Sequence, residues 1–308
     1  MAAPLSSIET AHEDMIHDAQ MDFYGKRLAT CSSDHTVRIF LVEDNDHKLI
    51  QTLRVHEGPV WQVAWAHPKF GNYLATCGYD RRVVIWKEGT TGWENTFEYR
   101  EHDSSVNTIA WAPYEYGQMT LACGSSDGDI SILHYQESDG SWQANRIQQA
   151  HATGVTCLSW APAIGPGSAL QPVEETTPTL KLVSGGCDNS LKIWTHTESG
   201  WSAGVALTPA THKERIRDVA WAPSLGLSCN IIASCSQDGK VVLWTQQTPN
   251  SAWEPKVLEE YDVPVWRVSW SMTGNVLAVS SADNKVVLYK SRLDGTWHKV
   301  STINEPSA

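Results

Sequence analysis

Apolar residues recur along this chain in a fixed frame. An anchor residue is followed by an apolar one at +4, another at +7 and an aromatic one at +9. The clearest copies run His56 to Trp65, His102 to Trp111, His151 to Trp160 and His212 to Trp221. Two looser copies bracket them: His12 to Met21, which replaces the tryptophan, and Tyr261 to Trp270, which replaces the histidine. Each copy is followed by an apolar run, an aspartate and, six residues later, a large apolar residue: Asp34 to Phe40, Asp80 to Trp86, Asp127 to Leu133, Asp188 to Trp194, Asp238 to Trp244 and Asp283 to Tyr289. Within a unit the alternation is strand-like, with "VVIW" and "LKIW" as strands and "YDRR" and "SQDGK" as tight turns. A final polar-apolar strand follows, often opened by tryptophan (Trp93, Trp142, Trp201, Trp253, Trp297). Each unit predicts a four-stranded antiparallel meander. Six such sheets in succession, with no helical pattern between them, predict an all-β, six-bladed β-propeller.

All 15 tryptophans fall on repeat positions, Trp61 and Trp266 directly after the +4 residue, so none is expected to serve as a ligand-stacking platform. The 308 residues, 41 % of them apolar, suffice for a large core. Near the start, Glu9, Glu13 and Asp14 stand where a secretory signal needs an apolar run, and no stretch approaches the ~18 apolar residues of a membrane span. A cytosolic location is expected. The seven cysteines are odd in number and form no CxxC pair, which predicts reduced thiols. A net charge of −12 without a basic cluster argues against direct nucleic-acid binding or membrane insertion and leaves proteins as the expected partners.

One segment imitates a catalytic motif. "GSSDG", Gly124 to Gly128, fits the Gly-x-Ser-x-Gly nucleophile elbow, but that elbow needs a strand-to-helix turn, and here the segment aligns with "SGGCDN" and "SCSQDG" of other units. Ser126 is therefore read as a turn residue. Five of the twelve histidines are repeat anchors, one per unit, and neither "HEDMI" nor "HEGPV" completes His-Glu-x-x-His. No catalytic residue, metal ligand or cofactor site is expected.

Residues 163–179, "AIGPGSALQPVEETTPT", lengthen a connection in the fourth unit and read as an exposed loop. Its Thr176 and Thr177 are open to phosphorylation, as residues of almost any exposed loop are. Six units need 24 strands, and the sixth supplies its own last strand, Trp297 to Ile303. Yet "LSSIETAH" ends in the anchor histidine, as the outer strands "QTLRVH" and "RIQQAH" do. It reads as the outer strand of a seventh sheet whose other three strands are not encoded. The expectation is an open ring, with a partner donating those strands and pairing with Leu5, Ser6, Ser7, Ile8, Glu9 and Thr10, and the alternative is a closed six-bladed ring with the N-terminal strand packed on an outer edge. Residues 1–308 then form one domain: the N-terminal strand (1–11), six repeats (12–303) and a tail (304–308).

The repeat resembles that of WD-repeat propellers over nearly the whole chain. In that family the anchor histidine, a Ser or Thr of the second strand, the turn aspartate and the terminal tryptophan form a buried hydrogen-bonded relay. The resemblance implies such relays at His56, Thr76, Asp80 and Trp86; at His151, Ser184, Asp188 and Trp194; and at His212, Ser234, Asp238 and Trp244. The pattern is interrupted by Cys123 and Leu133 in the third unit, by Phe40 in the first, and by Tyr261 and Val279 in the sixth. The first and last blades are expected to be held by something besides their own relay. Finer stretches, "GPVWQVAWAHPKFG", "VIWKEG", "SGGCDNSLKIW", "IRDVAWAP" and "PVWRVSWSMTGNVLAVS", resemble the small propeller subunits of the COPII outer coat. That resemblance implies a non-enzymatic scaffold subunit, completed in trans by a blade of the large COPII outer-coat subunit, which continues into an α-solenoid. It also implies a scaffold nucleoporin of the Y-shaped nuclear pore complex and a lysosomal nutrient-signalling assembly as partners. The implied locations are COPII vesicles, endoplasmic reticulum exit sites and the nuclear pore. The competing readings are a sister nuclear-pore propeller and a WD-repeat adaptor that recognises peptides, such as a ubiquitin-ligase substrate receptor.

Overall fold

The computed structural model describes residues 8–43, 46–163, 179–202, 204–209, 211–224, 229–248, 251–292 and 294–304. It is an all-β structure of six successive antiparallel sheets, and its only helical elements among the described residues are two 3-10 turns, Pro68–Phe70 and Tyr114–Tyr116. The contacts separate the chain into two compact units that divide between Val155 and Thr156. The first holds three sheets: β1 to β4 (Ile16–Met21, Arg27–Ser32, Thr36–Glu43, Asp46–Arg54), β5 to β8 (Val60–Trp65, Tyr73–Gly78, Val83–Glu88, Trp93–Tyr99) and β9 to β12 (Val106–Trp111, Thr120–Ser125, Ile130–Gln136, Ser141–Ile147). In the second lie β13 to β17 (Val155–Trp160, Lys181–Gly186, Leu191–Thr197, Gly200–Trp201, Val205–Ala206), β18 to β21 (Ile216–Trp221, Asn230–Ser236, Lys240–Gln246, Glu254–Glu260) and β22 to β25 (Val265–Trp270, Val276–Ser281, Lys285–Ser291, Trp297–Asn304). The strand order in each sheet follows the chain, as the repeat predicts.

The fourth sheet departs from the even pattern, because its outer strand is two short pieces, β16 and β17. Between them Gly204 lies against the Trp194 indole, where a Cβ would come within 2.7 Å of the ring. The 163–179 loop falls almost wholly outside the described residues, and Thr176 and Thr177 with it.

Period-two alternation gives each sheet two apolar faces, and the core consists of the layers between neighbouring sheets. Within the first unit, Ala29, Cys31, Val37 and Ile39 of the first sheet meet Leu74, Val84 and Trp86 of the second. The opposite face of that second sheet, with Ala75, Cys77, Val83 and Ile85, meets Ile109, Leu121 and Leu133 of the third. Within the second unit, Val183 and Leu191 pack with Ile232, Val242 and Trp244, and Ala233, Cys235, Val241 and Leu243 pack with Leu277, Val279, Val287 and Tyr289.

Polar ties lock these apolar layers. The +9 indole of one sheet donates to the +8 carbonyl of the sheet before it: Trp65 to Gln20, Trp111 to Ala64 and Trp270 to Ala220, each at 2.9 Å. Beside these bonds, the +6 side chain accepts from a backbone N–H of the next sheet. Asp18 takes Val63 N at 3.3 Å, Gln62 takes Ile109 N at 2.7 Å and Asp218 takes Val268 N at 3.0 Å. The polar +6 residues in an apolar strand are the signal for this tie, which the hydrophobic frame alone does not suggest. Trp65→Phe and Trp270→Phe each remove one donor and leave a carbonyl unpaired between sheets. Each is expected to lower the free energy of unfolding by about 1 to 3 kcal/mol, read from urea denaturation followed by circular dichroism.

Candidate partner-binding site

The second sheet contains all four relay members in contact. His56 Nδ1 lies 3.0 Å from both carboxylate oxygens of Asp80, and Nε2 lies 2.8 Å from Thr76 Oγ1, which also accepts from Trp86 Nε1 at 3.1 Å. In the fifth sheet, Ser234 Oγ lies 2.8 Å from His212 Nε2 and accepts from Trp244 Nε1 at 3.0 Å. There His212 Nδ1 stands 3.5 Å from Asp238, whose other oxygen takes the Lys213 N–H at 2.7 Å. In the fourth sheet, Trp194 donates to Ser184 at 2.9 Å. Ser184, Asp188 and Trp194 belong to the second compact unit, and His151 to the first.

The interrupted units differ from one another. The first keeps three members, with His12 at 2.8 Å from Asp34 and 2.9 Å from Thr30, and lacks only the indole because Phe40 carries no donor. Its own relay therefore does contribute to holding the blade. The third pairs His102 with Asp127 at 2.8 Å, but Cys123 replaces the hydroxyl and His102 Nε2 is left buried without a partner. The sixth substitutes a tyrosine pair: Tyr261 and Tyr289 hydroxyls are 2.9 Å apart, and Tyr289 donates to Glu259 at 3.1 Å.

Burial alone raises the affinity of Asp80 for a proton, but the bonds and charge of His56 and the N–H groups of Glu57 and Arg82 outweigh it and hold the carboxyl below its usual range. The same balance lowers Asp34, Asp127 and Asp238. Burial lowers His102 and His212 against the pull of their aspartates. All six groups bind protons more weakly folded than unfolded. Their contribution is present above the unfolded values, about 6.5 for histidine and about 4 for aspartate, and is lost as the pH falls through the folded values.

The proposed pairing strand is only partly described. Leu5, Ser6 and Ser7 lie outside the described residues, and Ile8, Glu9 and Thr10 have irregular backbone. They rest against the first sheet: Arg38 donates to the Thr10 carbonyl at 2.8 Å, and Glu9 N donates to His47 Nε2 at 3.3 Å. The sixth sheet buries one face only. Leu277, Val279, Val287 and Tyr289 are buried against the fifth sheet, whereas the alternate residues Val276, Ala278, Val286 and Leu288 are half-buried. The matching strand of the second sheet, Tyr73–Gly78, is buried throughout.

Enzyme-like chemistry does not assemble around the remaining candidates. Ser126 lies in the turn between β10 and β11, its Oγ accepting from Asn107 at 2.8 Å. Among the described residues no three His, Cys, Asp or Glu side chains gather as metal ligands, and no helix is long and apolar enough to cross a membrane. None of the seven cysteines forms a disulfide, and burial pushes the thiols of Cys77, Cys123, Cys157 and Cys235 up.

Two predictions come from the relays. Thr76→Val keeps the shape but leaves His56 Nε2 and Trp86 Nε1 unpaired, and is expected to cost about 2 to 5 kcal/mol in urea denaturation. Stability is expected to fall in two stages on acidification, first below about pH 6.5 and again below about pH 4. Urea midpoints at a series of pH values check this, and a flat profile from neutral pH to the carboxylate range would contradict the role of His102 and His212.

Comparison with known proteins gives the same repeat. The family model "WD domain, G-beta repeat" matches residues 4–40, 47–87, 93–133, 142–195, 206–245 and 254–290. The chain is 54 % identical over 309 aligned positions to "Protein SEC13 homolog" of Homo sapiens, covering 99 % of this chain and 95 % of that protein. It is 48 % identical to "Protein transport protein sec13" of Emericella nidulans, covering 99 % and 100 %, and 47 % identical to "Protein transport protein SEC13" of Yarrowia lipolytica, covering 97 % and 99 %. With six WD repeats along its length and these relatives matched nearly end to end, the chain belongs to the Sec13 family of WD-repeat β-propellers.

Proposed function

We propose that this chain is a non-enzymatic scaffold subunit of the COPII outer cage, in endoplasmic reticulum to Golgi transport, and of the Y-shaped nuclear pore complex. It acts by accepting a three-stranded blade from a larger α-solenoid partner and stiffening it. The observation that carries this reading is where the repeat matches start. The matches from 47, 93, 142, 206 and 254 each begin in or at an outer strand, namely β4, β8, β12, β17 and β21. The first begins at residue 4, so residues 4–11 align with the segments that form or open outer strands in the other units. An outer strand pairs with a donated sheet through its backbone groups, and apolar side chains on the half-buried face of β23 and β24 offer a surface to cover.

The proposed partners are the large COPII outer-coat subunit and a scaffold nucleoporin, with a lysosomal nutrient-signalling complex as a further assembly. The proposed locations are the cytoplasmic surface of COPII vesicles and exit sites, and the nuclear pore. The relatives named as protein transport proteins support this reading. Mechanically, a sheet buried on both faces resists bending, so a partner threaded through such a ring becomes a stiff edge, and many weak edge contacts add by avidity. Lipid contact by this chain is not required.

Co-expression with a partner carrying the blade is expected to raise the melting temperature clearly over the chain alone. Deleting residues 1–10 should weaken that complex by more than tenfold while the fold persists, and unchanged affinity would remove the pairing role of Leu5 to Thr10. Amide exchange at Ile8, Glu9 and Thr10 should slow only in the complex.

A further inference from the structure

Trp266 stands apart from the other tryptophans. Fourteen of the fifteen are buried or half-buried within the sheet layers, but Trp266 is 42 % exposed. The guanidinium carbon of Arg217 lies 4.4 Å from the centroid of its ring. Both residues occupy the same place in the repeat, five after the anchors His212 and Tyr261. At that place the inner strand bulges: the pairing of β18 with β19 skips from Ile216 to Asp218, and that of β22 with β23 skips from Val265 to Arg267. A bulge residue leaves the ladder, and its side chain can be re-aimed.

The arginine is held in place without being neutralised. Nε donates to Gln237 Oε1 at 2.8 Å, Nη2 donates to the same oxygen, and the indole supports the guanidinium from one side. Among the described residues no carboxylate lies within ion-pair reach of Arg217. Arg215, exposed on the same strand approach, adds a second positive charge nearby. A guanidinium has five N–H donors, and Gln237 takes only two, so the Nη1 edge still presents a planar fork. Such a fork matches a carboxylate in a bidentate way, and its position is already set. A partly desolvated cation left unpaired in a protein of net charge −12 is a locus of charge complementarity for an anion. Arg and Trp are also the residue types most enriched among interface hot spots.

We propose that Arg217 and Trp266 form a docking point for an acidic, extended peptide segment of a partner protein. A peptide carboxylate takes the free edge of the guanidinium, and a neighbouring aliphatic side chain lies on the exposed part of the indole. The site is independent of the blade-insertion reading, because it uses neither residues 1–11 nor the half-buried face of the sixth sheet. A nucleic acid is disfavoured, since the overall negative charge repels a phosphate backbone.

The test uses the full-length chain and three labelled probes followed by fluorescence anisotropy: a short peptide alternating Leu and Glu, its counterpart with Gln for Glu, and an oligouridine. The Leu/Glu peptide is expected to bind and to weaken with added salt. Arg217→Gln and Trp266→Ala should each weaken it by at least tenfold with an unchanged melting temperature. Arg217→Lys should fall between, because an ammonium keeps the charge but not the planar fork. Failure of the Leu/Glu peptide to bind, equal binding of the Gln peptide, or undiminished binding by Arg217→Gln would overturn the proposal. Preferential binding of oligouridine would overturn it in favour of a nucleic-acid ligand.

Discussion

A sheet that is apolar on both faces needs a neighbour on each side, and this requirement governs the molecule. Residues of one parity on β6 pack on the first sheet, and residues of the other parity pack on the third. A polar group inside such a layer needs a protein partner, which the indole ties of Trp65, Trp111 and Trp270 supply, whereas Trp221 Nε1 is buried without one. The repeat is thus an interface specification as much as a strand pattern. Its +4 and +7 positions supply the apolar side chains of the layer shared with the preceding sheet, and its +6 and +9 positions supply polar ties to the neighbours.

The histidine relays solve a second problem of the same kind. In the first, second, third and fifth sheets the turn after the second strand carries an aspartate that faces the anchor histidine, and where a hydroxyl and an indole follow, the bonding continues inward. The second sheet shows the full chain of bonds, and the first, third and sixth show what happens when a member changes. Phe40 merely shortens the relay, Cys123 leaves a ring nitrogen unpaired, and the pair Tyr261 and Tyr289 replaces the mechanism with another. Variation therefore collects in the first, third and sixth sheets.

The exceptions to these polar ties are informative. Arg217 and Trp266 lie at bulges and keep unsatisfied binding capacity on a fixed frame, whereas Trp61, at the same repeat position, donates its indole N–H to Ser105 at 2.8 Å. An identical position in the repeat thus serves as an interlock in one sheet and as an exposed recognition point in another. Around Ile8 to Thr10 the backbone is held at two points without regular pairing.

The number of sheets, the sheet order and the turn chemistry could be read directly from the chain, because they depend on periodicity two and on Asp and Gly at fixed offsets, all of them local properties. The assignment of His56, Thr76, Asp80 and Trp86 to one polar group rests on resemblance, and their distances on the fold. Periodicity says nothing about which face of a sheet is covered, since an exposed face and an interior one carry the same alternation. The half-burial of Val276, Ala278, Val286 and Leu288 therefore emerges only once neighbours are in place. The same holds for Trp266, which as a residue type and repeat position was indistinguishable from a structural tryptophan. Its exposure, and the arginine lying against it, follow from two bulges and the juxtaposition of two sheets, and no local pattern encodes the distance between strands that lie fifty residues apart.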